Sequence, residues 1–260
     1  MSHEHRPTWN LPPGVSRGLW DYVQSPSVAD DYDDYFAFNS LFEHDEQVLA
    51  RHLQPAGLVA DLGCGTGRAL VPLVRAGHRG LAIDLSDHML RIVQEKADLD
   101  ELPIDCLQAN LVELDALGDQ TVDHAICMFS TLGMIRGRAN RRQALRHCRR
   151  ILKPGGRFVL HVHNYWFNLR DPQGPSWLIK NLLSAPLSQK VEIGDKWFPY
   201  RGVPNMFLHV FRWSELAADL ADAQFEIVER IPLDVARRHR LRWSWLLGAV
   251  RTNGWIVICD

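Results

Sequence analysis

A short strand that runs straight into glycines constrains this chain more than any other feature. Leu58-Val59-Ala60-Asp61-Leu62 is apolar apart from one carboxylate, and Gly63-Cys64-Gly65-Thr66-Gly67 follows at once. Residues 68–76 then read as helical, starting close to Leu70 because Pro72 is tolerated only in a first turn. A turn of this kind removes side chains, so that a ligand can lie against bare backbone. The following helix offers free N–H groups and the positive end of its dipole. The spacing is G-x-G-x-G; the third glycine of the dinucleotide fingerprint G-x-G-x-x-G is replaced by Arg68, whose side chain would crowd a pyrophosphate. Asp61, just before the turn, would repel a phosphate and attract an ammonium. The pattern therefore favours a ligand bearing an amino-acid moiety over a nicotinamide dinucleotide.

Beyond the turn, strands and helices alternate. Residues 80–85 form the second expected strand, ending on Asp84, which is 17 residues after Gly67 and placed to accept hydrogen bonds from a ribose diol. Ser86 caps a helix whose Met89, Leu90, Val93 and Ala97 share one face. Further strands are expected over 104–108, 122–129 and 158–162, with a helix over 139–152 stopped by Lys153-Pro154-Gly155-Gly156. The spacing implies parallel βαβ units with right-handed crossovers. A helix over 213–223 and an antiparallel pair, 225–231 with 255–259, complete the reading. The fold class is thus α/β, a doubly wound, mostly parallel seven-stranded sheet with helices on both faces. Residues 1–40 are expected to be an N-terminal arm and possible lid, loose over 1–25. The main domain would span 41–260, beginning with a helix over 41–53. Residues 165–208, rich in Trp, Pro and Gly without a clear period, are read as an insertion or substrate lid.

Composition excludes several classes. No apolar run approaches the ~18–20 residues of a membrane span, and the first residues lack the apolar core of a secretory leader, so the expectation is a cytoplasmic protein with no membrane partner. The five cysteines are scattered, without a C-x-x-C pair, which suggests neither a zinc site nor a disulfide framework. A net charge of −2 provides no overall field for nucleic acid, so local clusters are judged separately. There are two. Arg136, Arg138, Arg141, Arg142, Arg146, Arg149 and Arg150 lie in or next to one helix, and Arg237, Arg238, Arg240 and Arg242 lie beside Trp243 and Trp245. Each reads either as a solvated face or as a phosphate-binding surface with an aromatic platform.

Asp61-Leu62-Gly63-Cys64-Gly65-Thr66-Gly67, Leu81-Ala82-Ile83-Asp84-Leu85-Ser86 and Ile151-Leu152-Lys153-Pro154-Gly155-Gly156-Arg157, in this order and spacing, resemble the signatures of class I S-adenosylmethionine-dependent methyltransferases. The likeness covers roughly residues 59–164. It implies S-adenosylmethionine as cofactor, with Asp61 and the turn Gly63, Cys64, Gly65 and Gly67 at its methionine portion. Asp84 and Leu85 would lie at the ribose, Asn110 and Leu111 at the adenine, and Met128-Phe129 beside the reactive methyl. Many members have Asp where this chain has Asn110, whose amide carbonyl can still face the adenine amino group. Tyr32 and Tyr35 stand where related enzymes place an aromatic lid.

The expected activity is in-line methyl transfer to a small-molecule amine, hydroxyl or carboxylate. His163 and His209 are candidate general bases, and Tyr200, Arg201 and Arg212 candidate substrate-orienting groups. His161 and His163 point to one face of the fifth strand, but without a nearby third ligand a packed histidine is favoured over a metal site, and no metal is expected. Two alternatives stay open. One is a tRNA wobble-uridine-type methyltransferase, from the likeness of residues 206–211, Glu215-Leu216 and Asn253-Gly254-Trp255 to the ending of that group. The other is of a different class: an NAD-dependent oxidoreductase, against which the glycine spacing argues, or a catalytically silent cofactor-binding subunit. Oligomeric state is not legible.

Overall fold

A computed structural model describes residues 10–25, 41–188 and 191–260. Tyr32 and Tyr35 lie outside the described residues. The chain begins with α1 (Arg17–Val23), N-capped by Ser16, whose Oγ accepts from the Leu19 amide. The expected loose arm thus contains an ordered helix. α2 (Leu41–His52) leads to β1 (Leu58–Leu62), α3 (Leu70–Arg75) and β2 (Arg79–Asp84). α4 (Asp87–Leu99) starts at Ser86, whose Oγ accepts from the Met89 amide. β3 (Ile104–Gln108), β4 (Val122–Cys127), the short α5 (Thr131–Met134) and α6 (Arg138–Ile151) precede β5 (Leu152–His163). β5 begins earlier than its apolar run because Leu152 already pairs with Val122, and an irregularity absorbs the glycines before Arg157 pairs with His124.

The sheet order is β3-β2-β1-β4-β5-β9-β8, where β8 is Ile227–Pro232 and β9 is Gly254–Cys259. The first five strands are parallel; β9 runs antiparallel to both β5 and β8. One face of the sheet packs on α6 and on α8 (Trp213–Asp222) through Leu145, Cys148, Ile151, Leu216 and Leu220. The other packs on α2, α3 and α4 through Leu49, Leu53, Leu70, Val74 and Val93. Both faces are covered, so the central strands read as continuous apolar runs. The order reverses at β1, which lies between β2 and β4. In open sheets of this kind, that reversal opens a crevice beyond the C-terminal strand ends.

Residues 165–208 have structure of their own. A 3₁₀ turn (Tyr165–Arg170) and α7 (Gly174–Ser184) lead to a two-stranded hairpin, β6 (Asp195–Tyr200) with β7 (Val203–His209). Its turn is Arg201-Gly202, both with positive φ (45° and 82°), the handedness that matches strand twist. Pro199 and Pro204 interrupt the two strands, and only one face of the hairpin is well buried, so no period was legible. α1 packs on β7 closely enough that a Cβ at Gly18 would lie 2.1 Å from the Asn205 carbonyl oxygen. The segment 206–211 that suggested an RNA-modifying relative is mostly interior, with Phe207 and Phe211 fully buried.

Most arginines of α6 are taken up by carboxylates, chiefly those of α8. Arg138 and Arg142 bond Asp219 (2.8 and 2.7 Å), Arg146 bonds Asp222 (2.8 Å), and Arg150 bonds Asp119 (2.8 Å). Arg141 is fully buried and bonds Glu192 (2.5 Å), with Glu215 and His209 each within 3.4 Å. His209 is held between Asp195 (Nδ1, 2.8 Å) and Glu215 (Nε2, 2.9 Å). This cluster fastens the hairpin to the domain. Removing one member of a buried charged set strands the others, at about 3–5 kcal/mol. Arg141→Ala is therefore expected to lower the unfolding free energy by about that amount in chemical denaturation; a loss under about 1 kcal/mol would contradict the fastening role.

Candidate active site

The crevice at the β1 reversal is a cavity whose walls come from successive strand ends. Asp61, Gly63, Cys64 and Gly65 come from β1 and its turn, and Asp84, Leu85 and Ser86 from the end of β2. Ala109, Asn110 and Leu111 follow β3, and Met128, Phe129 and Thr131 follow β4. α1 and the residues before it close one side with Val15, Leu19, Tyr22 and Val23, while α2 adds Asp45, Glu46 and Leu49. Asp61 and Asp84 thus face one enclosure.

The glycine turn is pinned to β2. Gly63 and Cys64 donate their amides to the Ile83 carbonyl (2.8 and 3.0 Å), and Gly65 donates to Asp84 Oδ2 (2.9 Å). Gly63 has φ +81°, and a Cβ there would lie 2.3 Å from the Thr131 methyl. Gly65 has φ +53° with nothing within 4 Å of an added Cβ, so open space lies against its backbone. Gly67 does not line the cavity: a Cβ there would crowd Val93 and Val71, so this glycine serves helix packing.

Asp61 is 2% exposed and its Oδ2 has no hydrogen-bond partner. Burial, with a smaller contribution from the Asp84 charge, pushes its carboxyl up to about 8. Burial also raises Asp84, opposed by the amides of Ser86, Gly65 and Leu85. Burial likewise holds the Cys64 thiol well above its ordinary range. An unsatisfied carboxylate facing a cavity, beside bare backbone and the apolar side chains of Leu85, Leu111 and Met128, fits a ligand that brings its own cation and an apolar ring. Asn110 acts as a turn residue as well as a wall: its Oδ1 accepts from the Val112 amide, and its Nδ2 donates to the Pro13 carbonyl and to Glu113.

The side chains nominated as catalytic do not reach this cavity. His209 is fully buried in the Asp195–Glu215 cluster. His163 bonds Asn253 (3.3 Å), and burial together with the nearby Arg237 pushes it down to about 3, so it is a poor proton acceptor. Tyr200 packs behind Tyr22, ring centres 6.0 Å apart. Arg201 and Arg212 are not among the lining residues either. His161 is fully buried beside His163, both ring nitrogens unpartnered. Among the described residues, the group with metal-ligand spacing is Glu192, Asp195 and His209, and Arg141 already supplies a cation there.

Two side chains of α2 were missed. Asp45 falls in the helix's inward stripe, where it reads as a break in an apolar pattern; a carboxylate on a core-facing position was the available signal. It is 5% exposed, its Oδ1 has no partner, and its Oδ2 lies 3.8 Å from Arg237. Burial raises it to about 6, with Arg237 opposing. Glu46, its neighbour, also faces the cavity.

A carboxyl moved from 3.8 to about 8 keeps its proton in the folded chain over a pH range where the unfolded chain has lost it. It therefore costs nothing below about pH 4, and its cost grows as pH rises towards 8. Without ligand, Asp61→Asn is expected to unfold later than the parent at pH 8, by about 2–5 kcal/mol, with the gain vanishing near pH 4. Denaturation across that range measures it; a gain independent of pH would contradict the burial of this charge.

Residues 59–156 match the family model described as "Methyltransferase domain". A provisionally named methyltransferase of Geobacillus sp. (strain WCH70) is 32% identical over 111 residues, 43% of this chain and 44% of that protein. The glycine N-methyltransferase of Mus musculus is 26% identical over 147 residues, 51% of this chain and 50% of that protein. The chain spans between 44% and 58% of the length of the first three curated relatives it matches. Among solved structures, the CcbJ methyltransferase of Streptomyces caelestis superposes with a TM-score of 0.65 at 21% identity, covering 90% of this chain and 95% of that one. The 1,6-didemethyltoxoflavin-N1-methyltransferase of Burkholderia thailandensis, solved with 1,6-didemethyltoxoflavin and S-adenosylhomocysteine, gives 0.62 at 19% identity, covering 96% and 92%. At these identities the structural likeness speaks for the fold. The matched segment, residues 59–156, contains the glycine turn beneath the cavity, so this part of the chain is similar to a methyltransferase domain and the whole has the fold of S-adenosylmethionine-dependent methyltransferases.

Proposed function

We propose that the protein transfers the methyl group of S-adenosylmethionine, in line, to a small-molecule amine, hydroxyl or carboxylate. The observation that carries this reading is the partnerless Asp61 carboxylate beside the open backbone of Gly65. When bound, the cofactor supplies a methyl group already activated on a sulfonium. The residues of this chain bind, orient and exclude water. Asp61 would hold the ammonium of the methionine portion, Asp84 the ribose hydroxyls, and Asn110 with Leu111 the adenine. Cys64, Leu85 and Met128 would complete the cofactor wall. Tyr22, Leu19 and Val15 keep water from one side, and alignment of acceptor with methyl group can contribute roughly 7–11 kcal/mol.

Asp45 replaces the histidines as the proposed proton acceptor. With its carboxyl at about 6 it is ionised at neutral pH, yet more basic than a solvated aspartate, and it lines the cavity close to the Phe129 wall that Arg237 covers. An enclosure walled by α1 and α2 suits a small acceptor better than an RNA loop, and most arginines of α6 are occupied by carboxylates.

Calorimetry with S-adenosylmethionine, S-adenosylhomocysteine and NAD tests the cofactor: binding of NAD alone would end the proposal. Transfer of labelled methyl to the small-molecule fraction of a cell extract tests the acceptor class, and label only in RNA, or none, would favour the alternatives. Gly65→Ala is expected to lose S-adenosylhomocysteine binding while costing about 1–2 kcal/mol of stability. Asp45→Asn is expected to lower kcat/KM by about 10²–10⁴-fold, and to remove the ascending limb of the pH profile near 6, with S-adenosylhomocysteine affinity retained. Unchanged turnover would remove Asp45 from the mechanism.

A further inference from the structure

The second basic cluster remains unexplained by the cavity. Between Asp234 and Asp260 the sequence has no acidic residue, while it has Arg237, Arg238, Arg240, Arg242 and Arg251. In a chain of net charge −2, this is a strong local excess of positive charge. Arg237 is buried against Phe129 and Asp45, and Arg240 pairs with Glu229 (2.9 Å). Arg238 and Arg242 are exposed and have no carboxylate within ion-pair distance among the described residues. Between these arginines and α9 (Gly248–Arg251) the chain turns its apolar side chains outward: Trp243 is 64% exposed, Trp245 81% and Leu247 68%.

The loop is built to stay that way. Arg251 donates to the carbonyls of Trp243 (3.3 Å), Leu246 (3.0 Å) and Arg242 (3.4 Å), closing the turn from inside. Trp243 and Leu247 hold positive φ (51° and 49°), a region that side-chain-bearing residues occupy only when their surroundings impose it. The Asn164 amide, at the end of β5, donates to the Ala249 and Thr252 carbonyls and ties the loop base to the sheet. An arginine and two strained backbone positions thus keep two tryptophans and two leucines in water, where apolar area is costly.

We propose that residues 242–247, with the flanking arginines, dock on the surface of a bilayer containing anionic lipid. Indole rings favour the headgroup boundary, leucines reach the acyl chains, and guanidinium groups meet lipid phosphates. Among the described residues no helix is long and apolar enough to span a bilayer, so the contact is at the surface. Single-stranded nucleic acid would use the arginines and the indoles but leave Leu246 and Leu247 without a role. The same loop contains Arg237, whose guanidinium lies 4.8 Å from the centre of the Phe129 ring in the cavity wall, so the docking element and the cavity share a support.

Sedimentation of the full chain with vesicles tests this. The protein is expected to pellet with phosphatidylcholine vesicles containing about 30% phosphatidylglycerol at about 0.1 M salt, and not with phosphatidylcholine alone. Trp245→Ala, Leu247→Ala and Arg242→Glu, all at exposed positions, should each lower the partition coefficient at least about tenfold, with melting temperature and S-adenosylhomocysteine binding unchanged. The proposal is overturned if the parent does not pellet with anionic vesicles, or if the three variants pellet as the parent does. It is equally overturned if the same variants instead abolish binding to a single-stranded RNA homopolymer, or dissolve a dimer seen by light scattering, with no vesicle binding by the parent.

Discussion

The carboxylate of Asp61 is buried at the end of β1, and one of its oxygens touches no donor. A charge in that position is not tolerated for the sake of stability; burial and Asp84 drive its proton affinity to about 8. Much of the surrounding architecture can be understood as holding this group in place and leaving room beside it. β1 lies at the reversal of the sheet order, so its end opens into a crevice and not onto a neighbouring strand. Gly63 and Cys64 are tied to the Ile83 carbonyl, and Gly65 to Asp84, which fixes the turn without placing a side chain in the opening. A buried carboxyl oxygen left without a donor, beside open backbone, is a site prepared before any ligand arrives.

The second organising device is electrostatic. Arg141, Glu192, Asp195, His209 and Glu215 form a buried set that joins the hairpin to α6 and α8. Such sets contribute specificity of arrangement more than net stability. Their consequence here is positional: with β7 held, α1 can lie across it, and Leu19 and Tyr22 reach the cavity. A histidine that looks available in the sequence is consumed by this task. The same applies to six of the seven arginines in or beside α6: Arg138, Arg141, Arg142, Arg146 and Arg150 meet carboxylates, and Arg149 donates to the Gln224 carbonyl.

The two arginine clusters carry a lesson about reading charge from sequence. Both are dense, and only the later one lies beside tryptophan in the chain. The α6 cluster faces α8, whose Asp219 and Asp222 recur at helical spacing and neutralise it. The later cluster belongs to a stretch without acids and ends in a turn that shows its apolar residues to solvent. Charge density alone does not separate the two cases; the partner across the interface does.

What the sequence determined by itself is everything governed by local periodicity and backbone chemistry. Strand and helix order, the Ser86 cap, the glycine turn and the acids at the ends of β1 and β2 all depend on neighbours within a few residues. The fold class and the place of the cavity follow from them. Tertiary structure alone decided which distant side chains meet. It took His163 and His209 out of the cavity, placed Tyr200 behind Tyr22, and brought Asp45 into the wall. Register within the insertion was also beyond local reading, because prolines in both hairpin strands and one poorly buried face erase the period of two. Burial and pairing are set by contacts between residues far apart in the chain, and the spacing of one partner does not name the other.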